Sequence, residues 1–440
     1  MGSAERIREV ATLVGQSSEA FVVVSAMSGV TNTLVGMTEA WFEDRRSDWE
    51  GDLIALRNKF RSTCGELFSE GGLAEKAINE VEHAFDEVET RMNQECTEPD
   101  RNWLLAQGEF ITSRMIADYL NSIGMPTVWL NAFDFMRTGH DGEPHVEDIA
   151  ERLLTILDPQ HKGYYLTQGF ICLDFYEQPN NLRRGGSDYT ATLVGAALQS
   201  PCIEIWTDID GVRNNDPRFV ENTIPIRELS FDEAAELAYF GAKILHPSCV
   251  WPASSFNVPI LLKHTLRPNA PGTVIRSGVK TSGVRAVAAK DDITIIRIVS
   301  GRMLNAYGFL RGVFEIFEKY KTPIDVITTS EVAIALTIDD PQWVNEIVAE
   351  LNVIGDVTVE HNQSIVCVVG DVLAEHQGNA VRILESLKHQ QVKMISYGGT
   401  NNNITIVVPG ESKQDVLCEL NVLLFEQPEK PIATCITLPE

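Results

Sequence analysis

The chain is 440 residues long, above the size at which a single hydrophobic core keeps growing, so two or three domains are expected. Its 36 Lys and Arg stand against 62 Asp and Glu, a formal net charge of -26, which disfavours nucleic acid and anionic membrane as general partners but leaves room for an anion held by a few local bases. No apolar run has transmembrane length, the first residues lack the basic and apolar regions of a signal peptide, and the eight cysteines are scattered without a C-x-x-C pair; a cytoplasmic protein with reduced thiols and no zinc site is expected.

In chain order, Gly2-Ser3-Ala4-Glu5 reads as a helix start, with Ser3 as the cap and Ile7, Val10 and Leu13 as the apolar stripe. The run Phe21–Ser25 is short, β-branched and followed by Gly29, as a buried parallel strand would be. A helix feeding such a strand is normally the crossover of a strand–helix–strand unit, which calls for an earlier strand that does not precede it here. Further strands are predicted at Thr127–Asn131, Gly163–Gly169, Cys202–Thr207 and Val258–Lys263, alternating with amphipathic stretches as in an open, mostly parallel α/β sheet with helices on both faces. The acidic stretch 52–98 has heptad-like apolar positions and reads as a helical excursion or lid outside the core.

Past Arg276-Ser277-Gly278 the pattern changes to compact β-rich modules containing a repeat. "GFLRGVFEIFEKYKTPIDVITTS" at 308–330 is echoed by "GNAVRILESLKHQQVKMISYGGT" at 378–400, each copy followed by an alternating strand, at 332–338 and 403–408. Two ferredoxin-like β-α-β units are predicted.

Five stretches could carry chemistry. In Arg183-Arg184-Gly185-Gly186-Ser187-Asp188 a glycine pair meets a helix start beside two guanidinium groups, a pattern suited to phosphate or carboxylate; a surface turn capped by Ser187 is the alternative. Ser25, Ala26, Gly29, Thr31 and Asn32 follow the first strand and could present backbone N–H groups to an anion at the carboxyl edge of the sheet. Neither a G-x-G-x-x-G nor a G-x-x-x-x-G-K-[ST] fingerprint is present. Thr207-Asp208 ends a strand and Asp216-Pro217-Arg218 follows, fit for a nucleotide or metal, or simply for a turn. In "YFGAKILHP" Lys243 is the candidate and His246 reads as structural. Gln107-Gly108-Glu109 is placed at the start of a helix, where the dipole alone would explain the carboxylate.

These pieces occur in the order seen in aspartate kinases, and the chain resembles that family: an amino-acid kinase fold followed by two ACT regulatory domains. The resemblance rests on Ser25–Asn32, Gln107-Gly108-Glu109, Thr167–Phe170, Arg184–Asp188, Trp206-Thr207-Asp208, Asp216-Pro217-Arg218 and Phe240–Lys243. It implies a kinase domain over 1–278 and two intertwined ACT domains over 286–440, the first about 303–365 and the second built from about 286–302 and 366–440. The implied reaction moves the γ-phosphoryl group of ATP, carried with Mg²⁺, to the side-chain carboxylate of L-aspartate, the first step toward lysine, threonine and methionine.

By the same resemblance, Arg184 clamps a carboxylate of aspartate, Glu109 recognises its ammonium, Ser25 and Thr31 line the pocket, and Asp188 organises the catalytic centre. Ala26, Gly29, Gly185, Gly186 and Ser187 face phosphates, Thr207 and Asp208 hold the nucleoside, and Arg218 and Lys243 its phosphates. Met303, Gly308, Phe309, Leu310, Asp325, Thr329, Ser330 and Glu331 form the amino-acid effector site, with lysine favoured over threonine and an effector ammonium as partner of Asp325. Simple core packing is the alternative for Met303 and Phe309. A homodimer through the ACT domains is expected, and no fused homoserine dehydrogenase fits.

Two departures from the family stand out. Arg213 replaces a tyrosine that usually stacks on the nucleotide, a contact that an arginine plane could supply instead. The strand and Lys-Phe-Gly-Gly-Thr-Ser loop that open family members do not precede Gly2, so an impaired catalytic corner is expected of the chain as given, and an amino-acid-binding regulatory protein without turnover is the alternative. A relative acting on glutamate or carbamate is a third reading, disfavoured by the ACT pair and by Gln107-Gly108-Glu109.

Overall fold

The computed structural model describes residues 1–68, 71–182, 185–241, 245–279, 283–303, 307–371, 379–400 and 402–426. In chain order, α1 (Ala4–Val14) leads into β1 (Ala20–Val24), followed by α2 (Val30–Phe42), α3 (Arg46–Leu67), α4 (Gly71–Met92) and α5 (Glu98–Ser122). Then come β2 (Thr127–Trp129), α6 (Val146–Ile156), β3 (Tyr164–Gln168), the hairpin β4 (Ile171–Leu173) and β5 (Pro179–Asn181), α7 (Gly186–Ala197) and β6 (Ile203–Thr207). Next are β7 (Glu228–Leu229), α8 (Phe231–Tyr239), α9 (Pro247–Ser255), β8 (Ile260–His264) and β9 (Thr273–Ile275). The remainder is β10 (Gly283–Val299), α10 (Phe309–Lys319), β11 (Ile327–Thr329), β12 (Ala333–Ile338), α11 (Val344–Leu351), β13 (Asp356–Asp371), α12 (Asn379–Ser386), β14 (Met394–Tyr397), β15 (Asn403–Pro409) and α13 (Lys413–Asn421). Two compact units result: Met1–Asp210 with Leu245–Ser277, and Gly211–Ile244 with Gly278–Glu440.

In the first unit, β1, β3 and β2 pair in that order, all parallel, with Val24 opposite Gln168 as the last pair of β1 and β3. β8 runs parallel to β6, and β9 antiparallel to β8. All five strands predicted for this region are present within two or three residues of their expected ends. Ser3 caps α1, accepting from the Arg6 N–H at 3.4 Å.

The acidic stretch corrects the sequence reading. It forms α3 and α4, whose apolar stripes, among them Leu53, Phe60, Val81, Phe85 and Val88, join one core with Ile7 of α1, Val24 of β1, Leu34 and Met37 of α2, and Leu120 of α5. The rings of Phe60 and Phe85 lie 5.7 Å apart. The acidic groups face outward, where Arg57 meets Glu82, Asp86 and Glu89 at 3.0–3.5 Å. Net charge misled the reading, because a helix can carry its whole charge on one face and bury the other.

In the second unit a single antiparallel sheet runs β11-β12-β10-β13-β15-β14. The two predicted β-α-β copies are α10-β11-β12 and α12-β14-β15; Gly378 lies outside the described residues. Each copy has its own core. One joins Val313 and Phe317 of α10 to Ile296, Ile334 and Leu336, and the other joins Ile383 of α12 to Val366, Ile404 and Leu417. The long strands β10 and β13 serve both. Among the described residues no helix is long and apolar enough to cross a membrane.

Candidate active site

The site of the first unit is built at the carboxyl ends of β1 and β3, where the chain continues as Ser25 and Gly169. The Gly169 N–H donates to the Val24 carbonyl at 2.8 Å, prolonging the sheet by one bond. A methyl group on Gly169 would lie 2.6 Å from the Cα of Ser187, so only glycine lets β3 touch the first turn of α7. The next residue, Phe170, has φ 70 and donates its N–H to Thr190 Oγ1 at 3.1 Å, fastening the strand end to α7 a second time.

The cap of α7 is Gly185, in the left-handed region with φ 70 and no side-chain cap bond. Ser187 is therefore inside the helix and the alternative in which it caps a surface turn is overturned. Asp188 projects from the first turn, half-buried, and burial alone pushes its carboxyl up to about 6. Arg184 lies outside the described residues, as does Lys243.

The opposite wall is the loop after β1. Met27 donates its N–H to Thr112 Oγ1 of α5 at 3.2 Å, Lys59 of α3 donates to the Ser28 carbonyl at 2.6 Å, and Gly29 caps α2 with φ 82. Ser25 is exposed, Ala26 buried and Thr31 half-buried. Glu109 points its carboxylate at this loop and accepts from the Ala26 N–H. It is only 2% exposed, its Oε2 has no partner, and burial pushes it up to about 7. A buried carboxylate with a spare oxygen beside a loop of small residues is equipped to take an ammonium group. Glu109 does not sit at a helix start as expected. α5 begins at Glu98 under a Thr97/Asp100 capping box, placing Glu109 mid-helix, where no first-turn dipole explains it.

Thr207 ends β6 with its carbonyl held by the N–H and hydroxyl of Thr265 at 2.8 and 2.9 Å, while its own hydroxyl accepts from the Ile209 N–H at 3.1 Å. The neighbouring Asp208 carboxylate accepts from the Thr207 hydroxyl at 3.3 Å. His246 caps α9, in keeping with a structural role.

Arg213 and Arg218 belong to the second unit and both are already engaged. The Arg213 guanidinium donates to Thr223 Oγ1 and to its carbonyl at 2.6 and 2.5 Å. That of Arg218 forks onto Asp216 at 2.5–3.0 Å and, against the effect of burial, holds that carboxyl below its usual range. Among the described residues no three His, Cys, Asp or Glu side chains converge to hold a metal.

Of the effector candidates, Gly308 caps α10 in the left-handed region, Leu310 is exposed in its first turn, and Met303 and Phe309 pack partly against the core. Thr329, Ser330 and Glu331 are exposed at the end of β11, where Ser330 and Ala333 close a tight turn. Asp325 already meets a cation without an effector. Its side chain is 2% exposed, yet its cationic partner is within the chain: Lys290 of β10, with Nζ 2.7 Å from Oδ1. The Tyr239 hydroxyl donates to the same oxygen at 3.1 Å, and Oδ2 is left without a partner.

Sequence reasoning missed Lys290, Tyr239, Thr112 and Lys59. The first two lie far from Asp325 along the chain and meet it only through the tertiary fold, which leaves no local signal. Thr112 follows Glu109 on the same helix by three residues, and that spacing could have found it.

A buried carboxylate against a small-residue loop and a glycine-capped helix start, both at the ends of parallel strands, together with a double ferredoxin-like tail, mark an α/β small-molecule-binding protein with a paired β-α-β module. The amino acid kinase family model matches residues 1–264, and an ACT domain model matches residues 366–422. The lysine-sensitive aspartokinase 3 of Escherichia coli K12 is 31% identical over 435 residues, covering 95% of both chains. The chloroplastic aspartokinase 3 of Arabidopsis thaliana is 33% identical over 458 residues, covering 97% of this chain and 80% of the relative. The crystal structure of E. coli aspartokinase III with aspartate and ADP superposes with a TM-score of 0.85 at 29% identity, covering 96% of this chain and 97% of that one. The chain belongs to the aspartokinases of the amino acid kinase family, phosphotransferases with a carboxyl group as acceptor.

Proposed function

We propose that this chain phosphorylates the side-chain carboxylate of L-aspartate at the expense of ATP and is restrained by lysine bound to its second unit. The observation that carries the reading is Glu109, buried, hydrogen-bonded to Ala26 and left with one unpaired carboxylate oxygen. An amino-acid ammonium satisfies that oxygen and draws the carboxyl back to its ionised form.

Around it, Arg184 clamps a carboxylate, Ser25 and Thr31 line the pocket, and Asp188 stands at the transfer centre. Ala26, Gly29, Gly185, Gly186 and Ser187 supply N–H groups to phosphate oxygens. Catalysis is then positioning and charge neutralisation, with little covalent chemistry left to the protein. Thr207 and Asp208 hold the nucleoside. Arg218 and Lys243 reach its phosphates, Arg218 by exchanging Asp216 for them. Arg213, its plane held by Thr223, stacks on the nucleotide. Mg²⁺ fits as part of the nucleotide complex, since the phosphates supply most of its ligands and Asp188 brings a carboxylate to the same helix start.

The kinase domain spans 1–278, and two ACT domains, about 303–365 and 286–302 with 366–440, bind the effector through Met303, Gly308, Phe309, Leu310, Asp325, Thr329, Ser330 and Glu331. The name of the E. coli relative supports lysine over threonine. The chain acts as a homodimer joined through this sheet, and the setting is the cytoplasm.

A coupled ADP-release assay with aspartate, glutamate and carbamate, with lysine and threonine titrated in, tests the reading. Aspartate-dependent ADP release, trapped by hydroxylamine as the aspartyl hydroxamate and inhibited by lysine, is expected. Release with glutamate alone overturns it. Lysine binding by calorimetry without turnover on any substrate establishes the regulatory-protein alternative for this chain.

A further inference from the structure

Asp325 and Asp339 share one ammonium. Lys290 Nζ lies 2.7 Å from Asp325 Oδ1 and 2.9 Å from Asp339 Oδ2, and 5.0 Å from the centre of the Tyr239 ring. The two carboxylates differ sharply in setting: the side chain of Asp325 is 2% exposed and that of Asp339 is 37% exposed. Two negative charges against one positive leave the cluster one cation short, and the unpaired Asp325 Oδ2 marks where the deficit is felt.

The geometry points to Lys290 as a tethered stand-in for the effector: a side-chain ammonium of the bound amino acid takes over Asp325, and Lys290 is handed to Asp339. The inference rests on the reading that Asp325 belongs to the effector site. No charge is stranded in the exchange, because the displaced Lys290 already touches the carboxylate that receives it, and the incoming ammonium makes the cluster neutral. Ligands of the right class are amino acids with a second, side-chain ammonium.

The exchange has a route outward. Tyr239, the last residue of α8, is bonded to the oxygen that the effector claims. Two residues on, Gly241 has φ 105, and a methyl group there would lie 2.0 Å from the carbonyl oxygen of Ala289, the residue before Lys290. The backbone of Gly241 is thus pressed on the strand that carries Lys290, and the sequence continues into Ala242-Lys243. Moving Lys290 and freeing Tyr239 therefore acts on the end of α8 and on Gly241 just beyond it.

Isothermal titration of the full chain with L-lysine, and with norleucine, which lacks the side-chain ammonium, tests this. A resident competitor lowers apparent affinity by the fraction of time it occupies the site. Lys290→Gln, which keeps a donor for Asp325 but removes the charge, should tighten lysine binding about tenfold and leave norleucine unchanged. Asp339→Asn removes the receiving carboxylate and should weaken lysine binding by a similar factor. Unchanged or weaker lysine binding by Lys290→Gln overturns the inference, as does equal tightening of lysine and norleucine, which would mark a purely structural effect. Asp325→Asn separates the underlying reading: lysine binding like wild type there removes Asp325 from the effector site. Lysine binding by neither wild type nor Lys290→Gln ends both.

Discussion

Gly169 and Ser187 meet with no room for a methyl group between them, 2.6 Å from a Cβ on one to the Cα of the other. That contact seats the start of α7, with Gly185 to Asp188, on the end of β3. Gly169→Ala should push the helix start outward, lowering kcat/KM by about tenfold or more, since ångström-scale misplacement is costly in positioning catalysis. Stability should fall by only about 1–3 kcal/mol, the usual cost of overpacking. Steady-state kinetics beside a denaturant melt checks the pair of values, and wild-type kinetics would show that α7 can shift freely.

Glu109 gives stability a pH dependence of unusual sign for a carboxylate. Its folded-state pKa of about 7 lies above the ordinary value of 4.5, so between these the folded chain binds more protons than the unfolded one. The contribution is complete below about 4.5 and is lost as pH rises through about 7. Glu109→Gln should therefore gain stability over wild type between pH 5 and pH 8, by up to about 3 kcal/mol at the alkaline end. The same variant should raise KM for aspartate. Parallel Tm curves for the two proteins would count against a neutral Glu109.

If Asp188 stands at the transfer centre as proposed, it acts in its ionised form, and burial pushes its carboxyl up to about 6. Activity should fall as pH drops through that value. Asp188→Asn should lower kcat by about 10² or more, and the residual rate should lack the acid limb. A pH profile of kcat/KM in both proteins decides it.

Phe60 is fully buried against Phe85 in the acidic helical pair. If α3 and α4 belong to the main core, Phe60→Ala should cost about 3–5 kcal/mol of stability, as aromatic truncations in cores do. A loss under about 1 kcal/mol by chemical denaturation would return the pair to the status of a lid.

Strand positions were legible because Val22-Val23-Val24 and Ile203–Trp206 carry short, β-branched or apolar runs that only a buried parallel strand explains. The ACT repeat was legible from its own echo. Glu109 was read at a helix start but stands mid-helix, since Thr97-Glu98-Pro99-Asp100, a capping box with proline near the helix start, was passed over as the true beginning of α5. For Asp325 the need for a cation was visible, while its identity was not. Lys290 is 35 positions earlier, and only the folding of β10 beside β12 brings it within reach.

The second unit borrows residues 211–244 from the middle of the chain. Asn215 bonds the Leu417 carbonyl at 3.1 Å, Val287 bonds the Asn214 carbonyl at 2.8 Å, and α8 packs on β10 and β13. The second unit is thus woven into the chain rather than appended to it. A gene cut at codon 278 would not yield a clean, unregulated kinase: it would leave α8 with Phe231, Ala234 and Leu237 bared, a sticky surface where a sheet had been. Changes to the second unit are therefore better made by point substitution, with the whole tail kept in place.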